Sequence, residues 1–312
     1  MKNNKKEGIN KNCGSALKRA RNYMPLYLML LPTLIFYILF CYKPMYGVLI
    51  AFMDYEPATG FLNSSWVGFK HFRSFFESYH FSRVMKNTVI ISGTSILFGF
   101  PAPIILALLI NEIKNKKFKK VVQSVSYMPH FISLITICGM IRVFTNDNGI
   151  ITNIVEFFGG SGESLLNNPD YFVPIYVISG IWQEVGWGTI IYLAALTGVD
   201  QELYEAAATD GAGRLRQVWH ITLPGIMPTI MTMFILRMGS VLGVGYEKII
   251  LLYNYATYET ADVISSFVYR SGLQENQWSF STAVGLFNSV INLIFLMITN
   301  MISKKVTETS LW

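Results

Sequence analysis

Two ionisable side chains, Glu184 and Arg237, stand deep inside apolar runs of this 312-residue chain. A charge at membrane depth is costly and marks, by default, a partner or a water-filled cavity. Counting about 1.5 Å per residue along the two runs brings Glu184 and Arg237 to similar depths. A Glu184–Arg237 ion pair is therefore the first expectation, with separate cavity-lining roles or contacts to a second subunit as alternatives. Beside Glu184 lie Trp182, Gln183 and Trp187, whose rings could stack on a solute or anchor the membrane interface. Asn288 and Asn292 share one helical stripe with Ser281, Gly285 and Thr299. Polar groups in hydrocarbon must find partners, so helix packing is the leading expectation for this stripe and hydrogen bonding to a polar solute the sharper one.

Covalent chemistry leaves no comparable signature. No GxxxxGK[ST] occurs, so ATP hydrolysis is not expected of this chain. HExxH, CxxC and GxSxG are also absent, and His71, His80, His130 and His220 are scattered. Cys13, Cys41 and Cys138 are far apart, which argues against a disulfide framework or a metal site. Gly243-Val244-Gly245 lacks the third glycine and the preceding strand of a dinucleotide loop. With Gly239 it instead gives a Gly239-xxx-Gly243 spacing, expected to close two membrane helices together.

The elements that must position these residues follow from composition. Hydrophobic residues make up 52% of the chain and charged ones only 14%, against about 25% charged in a soluble domain. Apolar runs near 26–50, 88–110, 121–144, 173–196, 219–243 and 283–302 predict an all-α integral membrane protein with six spans. The third and fourth, interrupted by Pro129, His130, Gln183 and Glu184, are the least apolar. The first is too long for a signal peptide and reads as an uncleaved anchor. Basic residues concentrate at 2–21, 114–120, 214–216 and 304–305, and the loop 145–172 has none. By the positive-inside rule both termini are cytoplasmic. The net charge of +6 is thus a topology signal rather than a nucleic-acid footprint. The expected organisation is a basic tail over 1–24, a membrane domain over 25–303 and a short tail over 304–312.

Between the fourth and fifth spans, residues 197–218 form a distinctive loop. Asp200 is a suitable N-cap, residues 201–209 (QELYEAAAT) are mostly good helix formers, and Gly211 suits the left-handed position that ends a helix. Leu203, Ala206 and Ala207 fall on one compact face. Such a helix on the cytoplasmic surface could enter a groove on a partner. A second short helix over 212–220 would join it to the fifth span near Pro224, giving an elbow that transmits a push.

Glu205-Ala206-Ala207, three residues, Gly211, nine residues, then Ile221-x-Leu223-Pro224 resembles the signature of membrane subunits of binding-protein-dependent ABC importers. Pro44-Met45-Tyr46-Gly47, Trp66-Val67-Gly68-Phe69, Pro129-His130-Phe131-Ile132-Ser133, Tyr258 through Ile264, and Gly285 through Asn292 are similar to the oligosaccharide and polysaccharide branch of that family. One departure is Gln201, where the branch often has proline; proline there is pre-organised but not required. The resemblance implies a permease that works by alternating access in a bacterial cytoplasmic membrane. Its partners would be a second related permease, two ATPase subunits that hold ATP and Mg, and an external solute-binding protein. Leu203, Glu205, Ala206, Ala207, Asp210 and Gly211 would couple it to an ATPase. Trp182, Gln183, Glu184, Trp187, Arg237, Asn288 and Asn292 become the expected sugar pathway. A peptide importer is the alternative within the class. An ion-coupled secondary transporter is the alternative outside it, disfavoured because no internal repeat is found.

Overall fold

Proline, glycine and the polar interruptions decide where the apolar runs of this chain stay straight and where they break. The computed structural model describes residues 23–58, 60–307 and 310–311; the expected tail over the first twenty residues, with Cys13, lies outside them. Helix α1 (Met24–Phe36) continues through a π-helical segment, Tyr37–Tyr42, and a 3-10 segment, Lys43–Phe52, as one rod of 29 residues. Pro44 has no N–H and its ring crowds the preceding turn, and the backbone widens just before it. A small hairpin comes next, β1 (Met53–Asp54) antiparallel to β2 (Ser65–Trp66), with Phe52 stacked on Trp66 at 5.6 Å.

Helix α2 (Lys70–Glu77) leads into α3 (Tyr79–Gly99) and α4 (Pro101–Asn111), which together form a 33-residue rod. The third run, expected as a span over 121–144 interrupted at Pro129 and His130, is sharply bent there. Helix α5 (Lys116–Tyr127) passes through a 3-10 turn, Met128–Phe131, and α6 (Leu134–Phe144) leaves at 98° to it. Pro129 ends the first helix, and the Ser133 hydroxyl starts the second by accepting from Thr136 N–H at 3.3 Å. After α7 (Ile150–Phe157) comes α8 (Pro169–Leu196), unbroken across Gln183 and Glu184. Helices α9 (Gln201–Thr209) and α10 (Arg214–Gln217) are next, and a π turn, Val218–Thr222, carries α10 into α11 (Leu223–Met238).

The fifth run differs from expectation, because its helix stops at Met238 rather than 243. Gly239 and Gly243 therefore do not form a helical seam. A Cβ on Gly239 would lie 2.4 Å from Leu296, so that glycine does permit close packing, whereas Gly243 faces its own chain at Ser240. Three short helices, α12 (Tyr246–Leu252), α13 (Tyr258–Ala261) and α14 (Ile264–Tyr269), precede a π turn, Arg270–Gln274, and the long α15 (Trp278–Thr307).

Among the described residues, four helical rods are long and apolar enough to cross a membrane, and the bent α5–α6 pair makes a fifth. Helix α8 has the length, but Trp182, Gln183, Glu184 and Trp187 lower its hydropathy. The core forms in patches where these rods meet. Ile91, Ile137, Phe172 and Ile249 join α3, α6, α8 and α12. Ile104, Tyr192 and Ile226 join α4, α8 and α11, and Phe75, Phe267 and Val284 join α2, α14 and α15. At Gly186 a Cβ would sit 1.9 Å from the carbonyl oxygen of Ser126, so α8 and α5 approach as closely as they do only because that residue is glycine.

Candidate functional site

A cavity of about 550 Å³ opens between α3, α4, α8, α11 and α12. Gln183, Glu184 and Trp187 reach it from α8, and Arg237 reaches it from α11. The non-helical stretch after α11 supplies Ser240, Val241 and Gly243 through Gly245 to the wall. Irregular backbone at membrane depth is tolerated where it lines a cavity, and this stretch is held from behind. The Leu242 N–H donates to Asn292 Oδ1 at 2.9 Å.

That bond is a packing contact between the α15 stripe and the break after α11. Asn292 serves the backbone of the break, and neither it nor Asn288 lines the cavity. Trp182 also lies outside the lining. The expected Glu184–Arg237 ion pair is not made. Glu184 Oε2 instead lies 3.0 Å from His130 Nδ1, in the turn between α5 and α6. Trp187, one turn further along α8, stacks on the same imidazole with centroids 4.4 Å apart and planes 3° from parallel. Residues i and i+3 of a helix face the same way, so one face of α8 grips the bend. Depth along two helices could not reveal this contact, because the residue that competes for Glu184 sits in a break rather than on a span.

Lys248, on α12, is the cavity residue that sequence reasoning passed over. It is only 7% exposed. Its ammonium donates to the Tyr176 carbonyl at 2.9 Å and lies 4.7 Å from the Tyr176 ring centre. Among the described residues no carboxylate lies within 4.0 Å of Lys248 or Arg237. The available signal was a lone lysine entering the apolar segment Ile249-Ile250-Leu251-Leu252.

At the opposite end of the bundle, α9 contributes no buried residue. Asp200 Oδ1 accepts from Glu202 N–H at 3.0 Å and starts the helix. Gly211, with φ of +76°, ends it: its N–H donates to Ala208 O, and Ala212 N–H reaches back to Ala207 O at 2.8 Å. These two bonds make a Schellman stop, the arrangement that asks for glycine at this position. Leu203, Glu205, Ala206, Asp210 and Gly211 are exposed and Ala207 is half-buried. One polar contact ties the helix to the turn that enters α11, Tyr204 OH to Thr222 Oγ1 at 2.9 Å. Beside it, Arg214 pairs with Glu112 at the end of α4.

A third cluster explains the segment Tyr258 through Ile264. Asp262 is fully buried and accepts from Arg270 at 2.8 and 3.1 Å, from Arg83 at 3.2 Å and from Ser266 at 2.9 Å. Asn87 donates to the carbonyls of Glu259 and Asp262. Burial by itself would lower the Arg270 pKa, but its hydrogen bonds and charge contact with Asp262 outweigh that and raise it. Burial also pushes the Tyr253 hydroxyl nearby up to about 12.

Residues 99–308 match the family model described as binding-protein-dependent transport system inner membrane component. The chain is 46% identical over 288 residues to the polygalacturonan/rhamnogalacturonan transport system permease protein YteP of Bacillus subtilis (strain 168), covering 92% of this chain and 90% of that one. It is 46% identical over 299 residues to Protein LplB of the same strain, covering 96% and 93%. Among solved structures it is similar, at a TM-score of 0.86 and 44% identity, to a chain of a bacterial ABC transporter involved in the import of the acidic polysaccharide alginate. That likeness covers 94% of this chain and 99% of the other. A second solved chain, with TM-score 0.86, 43% identity and the same coverage, belongs to a bacterial alginate ABC transporter in complex with alginate pentasaccharide-bound periplasmic protein.

Proposed function

The chain belongs to the family of binding-protein-dependent transport system inner membrane components, and from that premise we propose that it is one permease subunit of an ATP-driven importer for oligosaccharides or polysaccharide-derived sugars. It is a multi-pass membrane protein and a transport permease rather than an enzyme. In this reading six spans cross the cytoplasmic membrane: the α1 rod, α3–α4, the bent α5–α6 pair, α8, α10–α11 and α15. Both termini face the cytoplasm, and the cavity is a station on the sugar path.

A second, related permease completes the membrane part. Two ATPase subunits on the cytoplasmic side hold ATP and Mg, and α9 sits in a groove on one of them. An external solute-binding protein delivers the sugar to the opposite end. When ATP closes the ATPase pair, α9 moves with it and the spans open outward; hydrolysis returns them inward. No step asks this chain for a catalytic residue.

The observation that carries the reading is the connection from α9 to the cavity. Helix α9 has no fully buried residue, with only Tyr204 and Ala207 half-buried, and stops at a fixed elbow. Through Tyr204 and Thr222 it is bonded to the helical rod Arg214–Met238. That rod is about 35 Å long at about 1.5 Å per residue, and its far end places Arg237 at the cavity. A displacement of α9 is therefore delivered to the cavity wall by a stiff element. The test is a single cysteine at position 205, which should cross-link to the ATPase subunit, together with Gly211→Val. Normal uptake by that variant, with no cross-link from position 205, would sink the coupling assignment.

A further inference from the structure

We infer that Arg237 and Lys248 recognise the carboxylates of uronate-bearing oligosaccharides in the cavity between α3, α8, α11 and α12, so that this chain favours acidic over neutral sugars; the inference rests on the sugar-permease reading above. The lining brings two cations and one carboxylate together. Glu184 is already engaged by His130 at 3.0 Å and turned toward the α5–α6 bend. Neither positive group makes an ion pair within 4.0 Å among the described residues, and Glu184 acts on Lys248 only across the cavity.

A buried cation needs compensation. Lys248 has a backbone carbonyl and the face of Tyr176, which orient it without neutralising it. An ammonium has three donors, and one of them is committed to Tyr176. Arg237 is exposed to the cavity, and its planar fork suits a carboxylate held by two parallel hydrogen bonds. The two cations lie on either side of the non-helical stretch 239–245, whose backbone Asn292 fixes from behind. Their placement is thereby set by the fold rather than by a mutual contact. The cavity volume, about 550 Å³, falls in the range of small-ligand pockets, roughly 300–1,000 Å³. A neutral sugar would offer these cations only hydroxyl groups, whereas charge-assisted hydrogen bonds are roughly twice as strong as neutral ones.

The test uses the complete permease–ATPase complex in lipid nanodiscs and two probes of equal length and linkage, trigalacturonate and its carboxyl-reduced counterpart, galactotriose. The readout is the ratio of their affinities, which a partly unfolded sample does not alter. Wild type should favour trigalacturonate. Arg237→Gln and Lys248→Met should each reduce the ratio at least tenfold by weakening the acidic trimer alone, while Arg237→Lys keeps part of it. Should Lys248→Met fail to assemble, Arg237→Gln, at an exposed position, decides by itself. Equal affinities in wild type, or variants that weaken both trimers alike or neither, would overturn the inference and leave the sugar-permease reading standing. Binding of neither trimer by wild type would overturn the inference as well, and uptake of other oligosaccharides by the same complex would then decide the sugar-permease reading separately.

Discussion

Asp262 and Glu205 are both carboxylates in connections between long helices, yet their surroundings are opposite. Asp262 is enclosed, with two arginines and a serine on its oxygens and Asn87 on its backbone. Glu205 stands exposed on a helix with no fully buried residue. In the first connection both oxygens of the carboxylate are paired inside the chain, and Arg83 Nε is buried without a hydrogen-bond partner among the described residues. In the second the backbone is fixed by Asp200 and Gly211 and Tyr204 is bonded to Thr222, while the side chains of Leu203, Glu205 and Asp210 stay exposed. A connection that completes itself sets shape; in the proposed reading, one left exposed is available for association.

The largest effect should come from breaking the first. Asp262→Asn leaves Arg83 and Arg270 short of a counter-charge, and breaking a buried pair costs about 3–5 kcal/mol. Yield of folded chain and its thermal midpoint should fall sharply. Glu205→Gln should leave both unchanged and lower uptake and sugar-stimulated ATP hydrolysis. If the two variants lose stability alike, the contrast does not exist.

Next is Gly211. Open space surrounds its Cα on the side where a Cβ would lie, so Gly211→Val meets no neighbour and its cost is backbone strain, about 1–2 kcal/mol. Gly211→Asn, which tolerates the left-handed region, should recover much of the uptake. Equal loss in both variants would point to a direct contact with the partner instead.

A double-mutant cycle over His130→Ala and Glu184→Gln should give a coupling of about 1 kcal/mol in thermal stability. The same cycle over Glu184→Gln and Arg237→Gln should come out near zero, and the reverse order would restore the ion pair that depth alone suggested.

The smallest effect concerns Asp54 in the β1–β2 hairpin. The hydrogen bond from Lys70 at 2.7 Å, with the charges of Lys70 and His71, holds its carboxyl below the ordinary carboxylate value. The favourable contribution is thus present above that value and lost as pH falls below it. Because the pair is exposed, Asp54→Asn should change stability by at most about 1 kcal/mol, and only at pH values where the carboxyl is ionised.

Helix α9 was legible because its instructions are local: a cap at Asp200, helix formers between, and glycine at 211. The apolar rods were legible for the same reason. What hydropathy could not supply is competition between distant residues. His130 is 54 positions from Glu184, and its claim on that carboxylate exists only once Pro129 and Ser133 have bent the chain. The helix end at Met238 was hidden because Gly239 through Gly245 remain apolar enough to continue a run, while turn bonds and Asn292, which takes the Leu242 N–H, satisfy backbone groups of the break. Lys248 escaped notice for a related reason: its burial is created by Tyr176, on another helix.

The rod from Met24 to Phe52 has one property that bears on how the molecule is made. Its most apolar window has none of its residues buried within the chain. Synthesis runs from the N-terminus, so this segment enters the bilayer before the other described rods. A helix satisfies its own backbone in lipid, so the apolar part of the rod can wait unpaired, while its end at Ala51, fully buried, is covered only when the last rod arrives. The last rod, Trp278–Lys305, with Ser281, Thr299 and Asn300 among its buried side chains, must instead find neighbours already in position. The order of emergence and the order of dependence run the same way along this chain.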